Sequence, residues 1–169
     1  MDISLFDYEL NSDLIAQKPC FPRDNSRLLA CLGNDIEDLL FKDIHTLLNA
    51  GDVLVINNTK VIPTRLFGKR DKVNIEVTLH LNLQKNLWRT FLKPGRKCKE
   101  GDVIVFKNNL IAKVIKKYIE GDVLLEFNQN HETLLEELNV QGDMPLPPYI
   151  KRDKKNNSDK HDYQTIFAC

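Results

Sequence analysis

The stretch VNIEVTLH, residues 73–80, decides the fold. Val73, Ile75, Val77 and Leu79 alternate strictly with Asn74, Glu76, Thr78 and His80. A period of two puts the apolar four on one face of a strand and the polar four on the other, as in a half-buried antiparallel strand. Working outward, LWRTFL (87–92), GDVIVF (101–106), LIAKVIKKYI (110–119) and GDVLLEF (121–127) read as further strands. Five or six short strands between residues 61 and 127 predict a small barrel or sandwich. Gly-Asp-Val occurs at 51, 101 and 121 without any repeat of the surrounding residues, so it reads as a recurring turn into a strand. HETLLEELN (131–139) is an amphipathic helix with Leu134, Leu135 and Leu138 inward.

Before the strands, the pattern is mixed. NSDLIAQ (11–17) opens on the capping residues Asn11 and Ser12 and predicts a short helix. SRLLACL (26–32) predicts a strand. KDIHTLLNAG (42–51) predicts a helix capped by Asp43 and stopped before Gly51. GDVLVINN (51–58) predicts a buried strand, because the apolar run Val53–Ile56 is flanked by turn residues. After the strands comes GDMPLPPYIKR (142–152), with Pro145, Pro147 and Pro148. Prolines fix φ and donate no N–H, so this segment is expected to be extended, near polyproline II, and excluded from a sheet interior. It serves either as a rigid connector or as a wall presenting Met144 and Tyr149 to a ligand. RDKKNNSDKHD (152–162) is polar and expected to be mobile, and YQTIFA (163–168) regains some apolar character.

The 169 residues are 42% hydrophobic and 28% charged, a globular composition. No apolar run reaches the length of a membrane span, and Asp2, Asp7 and Glu9 are wrong for a secretory signal. Cys20, Cys31, Cys98 and Cys169 have neither metal-ligand nor redox-pair spacing, which points to inert thiols in a reducing cytoplasm. The net charge of zero hides a division. Residues 1–59 carry four Lys/Arg against ten Asp/Glu, residues 60–117 fifteen against four, and residues 118–169 five against ten. The middle third is either a face for a polyanion or a set of strand faces guarded by lysine against edge pairing.

The polar clusters suggest binding rather than a reaction. Asn57, Asn58 and Thr59 follow an apolar run, where α/β sheets gather ligands, and Arg65 has a fork suited to a carboxylate or phosphate. The alternative is a turn that satisfies its own backbone. Arg23 and Arg27 with Asp24 and Ser26 form a second cluster, equally readable as a turn with a surface ion pair. His45, His80, His131 and His161 are scattered, and no phosphate loop, nucleophile elbow or metal spacing occurs.

FDYELNSDLIAQKP, RDNSRLL, GDVLVINNTKVIPTRLFGKR, GDMPLPPYIKR and YQTIFA, occurring in that order, resemble the amino-terminal part of the S-adenosylmethionine:tRNA ribosyltransferase-isomerase family of queuosine biosynthesis. The resemblance spans essentially the whole chain. It implies an α/β (α+β) body with a small inserted β-barrel: residues 1–65 and 141–169 in the body, 66–140 in the barrel. It implies an enzyme that moves and isomerises the ribosyl group of S-adenosylmethionine onto a 7-aminomethyl-7-deazaguanine in tRNA. S-adenosylmethionine would be the co-substrate, with no metal and no membrane. Arg27, Asn57, Asn58, Thr59, Arg65 and Tyr149 would bind substrate, and no residue is assigned as the base. Lys69, Arg70, Lys93, Arg96 and Lys97, among the cations of the barrel, would grip phosphates of the tRNA anticodon region. Family members continue beyond YQTIFA into a carboxyl-terminal half, so the resemblance also implies a truncated body, either working with a complementing fragment as a partner or left as a catalytically inactive remnant that binds RNA through its basic barrel.

Overall fold

The computed structural model describes residues 2–152, 156 and 158–168. The expected mobile segment 152–162 falls partly outside the described residues, and Cys169 lies wholly outside them. The chain divides into two compact units. One contains residues 1–60, 147–154 and 164–169; the other contains 61–146 and 155–163.

The second unit is a closed antiparallel barrel. Its strands are β3 (Arg65–Arg70), β4 (Val73–Gln84), β5 (Leu87–Lys93), β6 (Val103–Val105), β7 (Ile111–Lys117) and β8 (Asp122–Phe127), arranged in the order β3-β4-β5-β8-β7-β6. The alternation of residues 73–80 does what period two demands: Ile75, Val77 and Leu79 are buried while Asn74 and His80 face water. Leu66, Trp88, Ile104, Val114, Leu125 and Phe127 fill the same interior. Each such side chain contributes about 1.5–3 kcal/mol when fully buried. Closure rests on one residue pair, Lys69 opposite Val105. It also depends on Gly68, where a Cβ would lie 2.7 Å from a Phe106 ring carbon and 2.8 Å from Ile104 Cγ2.

Helix α1 (His131–Gln141) packs Leu134 and Leu138 into that core, with Leu135 partly buried beside them. Asn130 caps it, its Oδ1 accepting from Thr133 N at 2.9 Å. The chain then returns along the first barrel strand: Arg65 N donates to Asp143 O at 3.0 Å, and Asp143 N to Arg65 O at 2.8 Å. The two ends of the barrel segment are thereby tied together. A final single turn, α2 (Asp159–Asp162), also belongs to this unit.

The first unit contains a hairpin, β1 (Arg27–Leu32) with β2 (Asp35–Leu40), and short three-ten turns. Here several sequence expectations change. NSDLIAQ forms only a three-ten turn over Ser12–Leu14, with Asn11 Oδ1 accepting from Asp13 N at 3.0 Å. The segment from residue 42 is also three-ten rather than α and begins earlier, at Phe41; Asp43 accepts from Leu40 N from within it. Val53–Ile56 does not form a strand. It has no ladder partner among the described residues, and Val53 and Val55 are 87% and 88% exposed. An apolar run is buried only when another element covers it.

The proline segment is not one continuous polyproline helix. Leu146 N bonds Met144 O around Pro145, and Ile150 N bonds Pro147 O, so two tight turns take the place of the extended run. Met144 is buried at 4% exposure, whereas Tyr149 is 55% exposed, so the segment presents only the tyrosine.

Candidate nucleic-acid interface and substrate cleft

The barrel exterior gathers part of the expected cation set. Outward parity on β3 exposes Phe67 and Lys69, and on β5 exposes Phe91 and Lys93. Lys69, Lys93 and Lys107 line a common groove of about 1080 Å³, together with Phe67, Asn74 and Val105. Their ammonium groups enter no ion pair or hydrogen bond among the described residues. Arg96 and Lys97 are exposed on the three-ten turn Gly95–Lys97.

Arg70 has a different role. It donates to the Lys97 carbonyl and to Asp102 Oδ2, the latter at 3.1 Å, and pairs with Asp71 at 3.3 Å. Lys117 Nζ donates to Gly95 O and Cys98 O, each at 2.9 Å. These two cations hold the loop that displays Arg96 and Lys97. Burial raises the Cys98 thiol pKa, helped by nearby Asp102, which keeps that thiol protonated and inert.

Arg65 is also engaged. Its Nη2 donates to Leu146 O at 3.0 Å, and its Nε lies 3.2 Å from Glu76 Oε1, close enough to pair but poorly angled for a hydrogen bond. It therefore fixes the first proline turn to the barrel. Arg27 pairs with Asp38 at 3.1 Å on an exposed hairpin face. Asn57 Oδ1 accepts from Thr59 N at 2.9 Å, a local turn, and Asn57, Asn58 and Thr59 are all exposed.

A second cleft lies within the first unit, lined by Ser12, Asp13, Ile15, Gln17, Tyr149 and Lys151, with a volume of about 430 Å³. Gln17 builds it. Its amide donates to Tyr149 O at 3.0 Å and accepts from Lys151 N at 2.8 Å, while Arg152 donates to Gln17 O at 2.9 Å. A side-chain amide thus substitutes for a strand neighbour and fixes the backbone that carries Tyr149. The volume lies within the usual range for small-molecule sites. A hydroxyl, carboxylate, phenol and ammonium there offer both donors and acceptors. Arg27, Asn57, Asn58, Thr59 and Arg65 line neither cleft.

Sequence reasoning missed Phe67, Lys107 and Gln17. Phe67 was readable from parity, since it lies between inward Leu66 and inward Gly68. Gln17 left no signal, because its partners lie more than a hundred residues away. Among the described residues, no group of three or more His, Cys, Asp or Glu side chains is placed to hold a metal ion, and no helix is long and apolar enough to cross a membrane.

Comparison with known proteins bears on this arrangement. Residues 3–169 match the family described as "Queuosine biosynthesis protein". The S-adenosylmethionine:tRNA ribosyltransferase-isomerase of Rhodospirillum rubrum is 43% identical over 168 residues, covering 99% of this chain and 48% of that protein. The protein of the same name from Desulfitobacterium hafniense is 41% identical over 174 residues, covering 99% and 50%. The chain thus spans about half the length of the curated relatives it matches. The crystal structure of S-adenosylmethionine tRNA ribosyltransferase from Thermotoga maritima is similar at 38% identity, covering 78% of this chain and 47% of that one, with a TM-score of 0.43.

Proposed function

We infer the function from a plain premise: the chain belongs to the queuosine biosynthesis protein family. It acts in tRNA modification, in the cytoplasm, as part of a transferase that moves the ribosyl group of S-adenosylmethionine to the aminomethyl nitrogen of a 7-deazaguanine in tRNA and rearranges it to epoxyqueuosine. A sulfonium acidifies the neighbouring ribose C–H, so one positioned base starts the rearrangement and the neutral amine serves as nucleophile. Adenine and methionine leave. The observation that carries this reading is the family match over residues 3–169, supported by three lysines on one barrel groove that have no partner among the described residues. Residues 1–65 and 141–169 belong to the catalytic body and 66–140 to the inserted barrel. Lys69, Lys93, Arg96 and Lys97 contact the phosphates of the anticodon region, with Arg70 holding their loop in place. Tyr149 with Arg27, Asn57, Asn58 and Thr59 of the same unit serves the S-adenosylmethionine side, whereas Arg65 holds the first proline turn to the barrel.

Incubation with S-adenosylmethionine and precursor tRNA tests this, with or without a separately expressed carboxyl-terminal half from a relative. Adenine release proportional to enzyme is the expected result; its absence in both mixtures contradicts catalysis. A second reading, RNA binding without turnover, is favoured by one contrast. The barrel has a complete core, whereas the apolar run Val53–Ile56 is open to solvent. On that reading tRNA affinity persists and no adenine appears.

A further inference from the structure

The groove beside the β3–β6 seam is not a plain cationic surface. Phe67 is 53% exposed within it, and Val103 and Val105 on the facing strand are 45% and 49% exposed. Cations alone neutralise a duplex backbone and need no apolar floor. The two carboxylates in the groove are already paired: Asp71 with Arg70 at 3.3 Å and Glu76 with Arg65 at 3.2 Å. What remains in the groove lining is the Phe67 ring, the ammonium side chains of Lys69, Lys93 and Lys107, and the Asn74 amide. The ring offers its face to a base, the ammonium groups attract phosphates, and the amide has both a donor and an acceptor for a base edge. A paired duplex hides its base faces in the stack, so only an unstacked nucleotide uses all three. The volume of about 1080 Å³ leaves room for a nucleotide and its flanking phosphates.

We propose that this groove holds one unstacked RNA nucleotide, with its base against Phe67 and its neighbouring phosphates at Lys69, Lys93 and Lys107. The inference rests on the reading that the barrel meets RNA, and it adds a stacking residue and a preference for unpaired RNA. Phe67 is half exposed on the outer barrel face, so its replacement leaves the core intact.

The test titrates the full chain with a labelled stem-loop RNA and with a blunt duplex built from the same stem, at a series of stated salt concentrations. Phe67→Leu keeps an apolar side chain and removes the ring. It is expected to weaken stem-loop binding about 10-fold, to leave duplex binding unchanged, and to be rescued by Phe67→Tyr. Unchanged stem-loop affinity in Phe67→Leu overturns the proposal. The triple variant K69Q/K93Q/K107Q is expected to weaken both RNAs and to reduce the salt slope for the stem-loop by about 2. If the triple variant loses affinity while Phe67→Leu does not, stacking is refuted and the barrel–RNA reading stands. If the unaltered chain binds neither RNA, both are refuted.

Discussion

Asp122 shows how a single residue governs the barrel. It enters β8 from the Gly-Asp-Val turn, and its side chain is only 4% exposed. Its Oδ2 accepts from Arg89 Nε, and the Arg89 guanidinium lies 4.7 Å from the centre of the Tyr118 ring. The hydrogen bond from Arg89 lowers the Asp122 pKa below its ordinary 3.8, outweighing the burial that would raise it. A carboxyl with a lowered folded-state pKa stabilises the fold fully above the unfolded value and loses that contribution as pH falls through the folded one. The barrel is therefore expected to lose stability below about pH 4, with Asp122 responsible for part of the loss. Asp122→Asn is expected to lower the melting temperature at neutral pH, where Arg89 loses its charge partner. It is also expected to reduce the difference between melting temperatures measured at neutral and acid pH. An undiminished acid dependence in that variant would assign the effect to other groups.

At the scale of elements, the barrel strands were legible because alternation is a local property, visible in Val73–Leu79 without knowledge of any neighbour. The same parity identifies Gly68 as inward, but not why it must be glycine. The reason is the approach of Ile104 in β6 and of Phe106 just after it, more than thirty residues later. Gly68→Ala adds a methyl group to filled space and is expected to destabilise the barrel by about 1–3 kcal/mol. Chemical denaturation measures this; a change below about 0.5 kcal/mol, typical of a surface site, would mean that the seam yields easily. Val53–Ile56 illustrates the converse. Its apolar run resembles a buried strand in sequence, yet burial is supplied by partners, and none among the described residues pairs with it. The three-ten turns at 12–14 and 41–47 were read as α-helix because capping residues mark where a helix starts, not how tightly it winds.

For the molecule as a whole, the formal charge of zero is uninformative, whereas its distribution is not. Fifteen of the 24 Lys and Arg residues lie between positions 60 and 117, almost all of that stretch within the barrel unit. That concentration was visible in the sequence. Which cations remain available was not, since pairing is a three-dimensional fact: Arg70 and Arg65 are occupied, whereas Lys69, Lys93 and Lys107 have no partner among the described residues. The cleft beside Tyr149 was less legible still, because it is assembled by Gln17 and a proline segment 132 residues away. The claim on which this account turns is that the barrel grips RNA through its phosphates. The most direct measurement is tRNA affinity as a function of salt concentration. The account predicts a linear loss of log affinity with log salt, with a slope of about −2 or steeper; no binding, or an affinity indifferent to salt, would contradict it.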